Sequence, residues 1–164
     1  MNKNYVVLAS IALIIILSLF ILSLGKSINN SQALLKPESA SVKSAVIAGN
    51  EISLEIAQTP KEKEQGLSGR ESIPENHGML FIISPKSGSP FWMIDMKFPL
   101  DIIWISDNQI VHIDENTPPP TPGQKEKDLP LYYPPKPVDY VLEVNGGFSS
   151  EHKIKVGDRV EINP

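Results

Sequence analysis

The uncharged apolar run from Tyr5 to Leu24, YVVLASIALIIILSLFILSL, leaves this chain the least choice of structure. About 20 residues at 1.5 Å rise span the roughly 30 Å hydrocarbon core of a bilayer. A helix packed on a soluble core shows a polar stripe, and this run has none. The expectation is a transmembrane helix acting as an uncleaved signal anchor, behind a short flank at residues 1–4. A cleaved signal peptide is the alternative, but its apolar core runs to roughly 7–15 residues and ends at a small-x-small site. Ser23-Leu24-Gly25 matches such a site poorly. Lys3 precedes the run and Lys26, Lys36 and Lys43 follow it, so the positive-inside rule does not decide the orientation. A single N-terminal segment ahead of a compact domain usually serves export. The expectation is therefore a single-pass membrane protein with an extracytoplasmic domain.

The chain has no cysteine, which excludes disulfides, thiolate zinc sites, a lipidated cysteine and a cysteine nucleophile. Residues 43–164 hold 12 basic and 18 acidic side chains, a balance of −6. An acidic domain without a basic cluster is a poor partner for nucleic acid, whose affinity comes mostly from phosphate contacts. Anionic lipid repels it as well, so membrane contact runs through the N-terminal helix. Residues 25–44 are polar and poor in large apolar side chains, which reads as a flexible linker. Residues 45–164 form a single domain on this reading.

Within that domain, Glu51 to Gln58 alternates, with Ile52, Leu54 and Ile56 on one face, as in a half-buried strand. Thr59-Pro60-Lys61-Glu62 carries an N-cap, a proline at the first helical position and a capping-box glutamate, predicting a short helix from Pro60 to Gln65 that stops near Gly66. Gly78–Ile83 reads as a buried strand, Pro85–Pro90 as a turn and Phe91–Asp95 as a further strand. Leu100–Ser106 and Gln109–Asp114 flank Asp107-Asn108, two residues that tolerate positive φ, which predicts a type I′ hairpin. Thr117–Pro137 is too rich in proline for a helix or central strand and reads as a long surface excursion. Val138–Asn145 and Val156–Ile162 are strands, with one helical turn between them near Phe148. The whole predicts a mainly β fold: a small antiparallel β-sandwich or partly open barrel with one or two short helices, preceded by the transmembrane helix.

The hairpin predicts a chemical cluster. With a two-residue turn and regular pairing, Trp104 faces Val111, Ile103 faces His112 and Asp101 faces Asp114. Asp101, His112 and Asp114 then share one face of the sheet. Two carboxylates beside an imidazole can move protons, or hold a hard divalent cation through oxygen. In the plainer alternative, Asp101 ties down backbone amides while His112 and Asp114 face solvent. Arg70 could grip a ligand carboxylate, or pair internally with Glu143 or Asp101. Glu143 interrupts the apolar run Tyr140–Val144, and a carboxyl inside such a run needs a partner. Met79, Met93 and Met96 with a histidine could suit copper(I), although strand alternation places Met93 and Met96 on opposite faces and core filling is the better explanation of methionine. Trp92, Trp104, Tyr132 and Tyr133 could stack on a sugar or a proline-rich partner; the two tryptophans lie in predicted strands and read as core, while the two tyrosines lie in the proline excursion and read as exposed. No Walker loop, GxSxG, HExxH or EF-hand pattern is present.

Several ordered motifs resemble the prokaryotic family called domain of unknown function 192. They are Gly78-Met79-Leu80-Phe81, Phe91-Trp92-Met93, Pro99-Leu100-Asp101-Ile102-Ile103, His112-Ile113-Asp114-Glu115-Asn116, Tyr140–Gly147 and Val156-Gly157-Asp158. The resemblance spans about Ile52 to Ile162. It implies a compact, mainly β domain, often behind a signal or anchor, and it implies no activity. Relatives usually read Trp-Met-Lys-Asn-Thr where this chain has Trp92-Met93-Ile94-Asp95-Met96, and methionine where Ser68 stands. Asp95 and Glu115 are counted among the candidate binding residues.

The functional expectation is a membrane-tethered binding module for a small ligand, a glycan or an envelope protein. Its candidate binding residues are Arg70, Trp92, Asp95, Glu115, Glu143, Tyr132 and Tyr133. The first alternative is a hydrolase-like enzyme using Asp101, His112 and Asp114, with or without a divalent cation. The second is copper handling through methionine and histidine. No metal ligand set is assigned, and the sequence does not identify a cofactor.

Overall fold

The computed structural model describes residues 43–163. The segment 5–24, expected to be a transmembrane helix, and nearly all of the expected linker lie outside the described residues. Among the described residues, no helix is long and apolar enough to cross a membrane.

The strands are β1 (Ser44–Ile47), β2 (Asn50–Ala57), β3 (His77–Ser87), β4 (Leu100–Ser106), β5 (Gln109–Thr117), β6 (Val138–Asn145) and β7 (Val160–Asn163). Two short helices, α1 (Pro60–Gln65) and α2 (Phe148–Glu151), interrupt them. All seven strands form one sheet in the order β5-β4-β6-β3-β2-β1-β7. The sheet curls into a half-barrel until its edges touch. Gln109 bridges to Arg159, and the Val160 amide donates to the Asn108 carbonyl at 2.9 Å. Pairing is antiparallel except between β2 and β3, which run parallel because α1 and the loop after it carry the chain back to the same end.

Curling gives the sheet two apolar faces. The inner one gathers Ile47, Ile52, Leu80, Ile103, Ile105, Leu142 and Val160, with Phe148 and Ile154 beneath. The outer one holds Phe81, Ile102, Trp104 and Val141, covered by Leu67, Met93 and Met96 from the loops. Every residue of β4 is buried, because this strand is packed on both sides; its sequence LDIIWIS therefore does not alternate.

The first predicted helix forms as its cap dictates. Thr59 Oγ1 accepts from the Glu62 amide at 3.2 Å, and Glu62 returns the bond to the Thr59 amide at 2.9 Å. The turn at Asp107-Asn108 is also as predicted, with φ of 55° and 58°. Three expectations fail. The last strand, expected from Val156, begins only at Val160, because Val156-Gly157 is a turn. Residues 91–95 are not a strand: Phe91 makes one bridge, to Tyr132, and the chain turns at Ile94-Asp95, where Asp95 has φ 54°. Finally, β3 continues to Ser87, through the span read as a turn, and arches away from β6 between Ile82 and Ser87. That arch makes room for a cavity.

Candidate functional site

The hairpin register breaks at Val111. Ser106 pairs with Gln109 and Ile105 with Ile110 as predicted, but Trp104 then pairs with His112, Ile103 with Ile113 and Ile102 with Asp114. Val111 is an extra residue on β5, a β-bulge, and each later side chain on β5 changes partner. The predicted Asp101–His112–Asp114 cluster therefore does not form.

Asp101 is fully buried on the inner face and accepts three backbone amides: Asn116 at 2.7 Å, Gly147 at 2.8 Å and Ser149 at 2.7 Å. It fastens β5, the turn after β6 and α2 to one point, as in the plainer alternative. Asp114 lies on the other face. It takes the Trp104 indole N–H at 2.7 Å and stands 3.3 Å from His112 Nε2.

Arg70 pairs with neither Glu143 nor Asp101. It makes a two-pronged bond to Glu55 on β2, at 2.6 and 2.8 Å, which holds the Glu55 carboxyl below its ordinary pKa. Met79, Met93 and Met96 are all buried in the outer apolar cluster, which contains no histidine. The opposite-face argument for Met93 and Met96 fails because residues 92–97 turn. Asp95 and Glu115 are exposed, and Tyr133 is 55% exposed. Tyr132 is half-buried, and burial raises its pKa. Among the described residues, no group of three or more histidine or carboxylate side chains could hold a metal ion.

Glu143 and Trp92 come together in a cavity of about 590 Å³ on the outer face. Glu143 stands on β6, between Met79 of β3 and Ile102 of β4, one alternation from Val141. It is 5% exposed, and among the described residues its carboxyl group has no hydrogen bond and no ion pair. Burial alone raises its pKa from 4.5 to about 8, so at neutral pH it is an uncharged acid. Gly78 lets β3 lie this close to β6, since a Cβ there would meet the Glu143 carbonyl at 2.7 Å.

The walls follow from the local folding already described. The end of α1 supplies Lys63, Gly66 and Leu67, the β3 arch supplies Ile83 and Pro85, and the 88–99 loop supplies Pro90, Phe91, Trp92 and Met96. Gly66 takes a positive φ of 47°, and a Cβ there would stand 3.3 Å from the Phe81 ring. Phe81 meets Phe91 edge-on at 4.9 Å, and Phe91 meets Trp104 edge-on at 5.3 Å. Trp92 is 39% exposed and forms the rim. Two of the departures from the family pattern, at Ser68 and Met96, fall on this wall. Ser68 Oγ donates to the Ile94 carbonyl at 2.7 Å, and Ser68 and Met96 both line the cavity. Sequence reasoning singled out Glu143 and Trp92 separately. It missed the cavity because nothing in the sequence marks the β3 arch.

A half-barrel sheet with a mostly apolar cavity on its outer face, and one buried acid in that cavity, defines the class of domain. The model of the DUF192 family, described as an uncharacterized ACR, matches residues 43–162, and the chain belongs to that family. Among solved structures, it is similar to a protein of unknown function from Novosphingobium aromaticivorans, at 30% identity and TM-score 0.65, covering 76% of this chain and 89% of that one. It is also similar to a protein from Sinorhizobium meliloti described as a proposed transcription regulator, at 32% identity and TM-score 0.65, covering 76% of this chain and 97% of that one. No curated protein matches the chain.

Proposed function

We propose that this protein is a ligand-binding module whose site is the cavity over Glu143, tethered at the membrane by its N-terminal apolar segment with the domain outside the cytoplasm. The observation that carries this is a buried carboxyl with no hydrogen-bond or ion-pair partner among the described residues, facing a concave and mostly apolar space. Ligand sites commonly combine an apolar lining with a few convergent polar groups and a titratable residue of shifted pKa. A buried polar group left without a partner costs about 1–3 kcal/mol, and a ligand that supplies the partner recovers that cost. The volume falls within the roughly 300–1,000 Å³ usual for small-molecule sites, which favours a small ligand over a glycan chain or a protein. The tether rests on the Tyr5–Leu24 run and its length.

The chain's two tryptophans provide the test. Trp92 is on the cavity rim and Trp104 is buried beneath Phe91. In full-length protein labelled with 5-fluorotryptophan and held in lipid nanodiscs, a fragment set is screened by ¹⁹F NMR. Binding in the cavity shifts the Trp92 resonance, and Ser89→Trp, which fills the exposed rim, abolishes the shift. A set that never moves Trp92, or moves it equally in the blocked variant, refutes the proposal.

A further inference from the structure

The floor and walls of the cavity favour one class of ligand, an inference that rests on the cavity being a ligand site. Three aromatic rings, Phe81, Phe91 and Trp92, line the space beside Glu143. Aromatic walls around a carboxyl favour a cation, which the ring faces and the carboxylate both attract. The described residues supply no such cation to Glu143. Arg70 is engaged by Glu55, and among the described residues the other charged groups lining the cavity are Lys63 and the exposed Glu64 of α1. Neither contributes to the displaced titration of Glu143, which burial alone accounts for. On β6 itself, Asp139 is engaged by Lys86 at 3.0 Å. The strands β3 and β4 face Glu143 with Met79 and Ile102. The domain's net charge of −6 draws cations toward it at long range.

We propose that the cavity binds an organic amine, with its ammonium group on the Glu143 carboxylate and its apolar body against Phe81, Phe91 and Trp92. Before binding, Glu143 is the neutral acid and the amine is the ammonium ion. The complex holds carboxylate and ammonium, and one proton leaves to solvent. Affinity therefore rises with pH until Glu143 is ionised in the free protein. A neutral ligand that accepts a hydrogen bond from the protonated acid behaves oppositely, and weakens as pH rises through the same range.

The experiment compares 2-phenylethylamine with 2-phenylethanol, nearly equal in shape, on full-length protein in nanodiscs at pH 6 and pH 8. The Trp92 fluorine resonance and calorimetry in two buffers of different ionisation enthalpy are the readouts. The amine is expected to shift Trp92, to bind roughly 50-fold tighter at pH 8 than at pH 6, and to release close to one proton at pH 6. Glu143→Gln, which matches the neutral acid in shape, brings the amine down to the alcohol's affinity. If the alcohol binds as tightly as the amine, or the amine binds without proton release, the amine assignment is overturned while the cavity remains a ligand site. If neither probe moves Trp92, the amine assignment is overturned as well, and the broader fragment screen decides the cavity.

Discussion

The Asp101 Oδ2 atom accepts the Ser149 amide at 2.7 Å, which ties β4 to the first turn of α2. Its other oxygen takes the Asn116 and Gly147 amides. An asparagine in its place offers one acceptor oxygen and no charge, so at least one buried amide is orphaned. Asp101→Asn is expected to destabilise the domain by about 2–4 kcal/mol, read by urea unfolding of the full chain in detergent micelles. A loss below about 0.5 kcal/mol contradicts the structural role given to this carboxylate.

Glu143 makes stability depend on pH. The folded protein holds this proton up to about pH 8, and the unfolded chain releases it near 4.5. Between those values the folded state binds more protons, so stability is full below 4.5 and falls as pH rises toward 8. The decline is at most ~5 kcal/mol from this one group. Glu143→Gln removes it, making the variant more stable than the parent at pH 8 and close to it at pH 4.5. Parallel curves for the two proteins contradict this.

The Arg70–Glu55 pair is half-exposed on both sides, so solvent screens it. Arg70→Ala is expected to cost ~0.2–1 kcal/mol and to leave the Trp92 response to ligands unchanged. A lost response would return Arg70 to the binding site.

The hairpin shows how much of the fold and the site was legible in advance. Asp107-Asn108 announced the turn, because few residue pairs tolerate two successive positive φ values. Thr59, Pro60, Glu62 and Gly66 announced α1 and its stop through local hydrogen bonds. The bulge at Val111 had no such signal: one valine among apolar neighbours reads as regular strand, yet it moved His112 and Asp114 away from Asp101. Both faces of β4 are packed, so alternation could not report the register. Glu143 stood out as a charge in an apolar run, but its surroundings depend on the arch of β3 and on the 88–99 loop. Those are tertiary features, set by long-range packing.

Val111 gives a direct check on the bulge. Deleting it permits regular pairing from the turn as far as Ile102–Asp114 and sets Trp104 opposite His112 without the extra residue. The deletion removes a half-buried side chain from the outer apolar cluster and straightens β5 next to Ile110, whose amide and carbonyl bond to Asp158 and Gly157. A loss of about 1–3 kcal/mol is expected, while substitution by isoleucine costs less than about 1 kcal/mol. Hydrogen exchange at the Ile110 amide, bonded to the Asp158 carbonyl, reports the local rearrangement.

The claim underlying the rest is that Glu143 is a neutral acid at physiological pH. Selective ¹³C labelling of glutamate side chains, with the Glu143 signal assigned from its absence in Glu143→Gln, allows its titration to be followed by NMR in the full chain. A midpoint near 8 is expected. A midpoint near 4.5, the ordinary carboxyl range, would mean that the cavity floor is hydrated and charged, and would contradict the account.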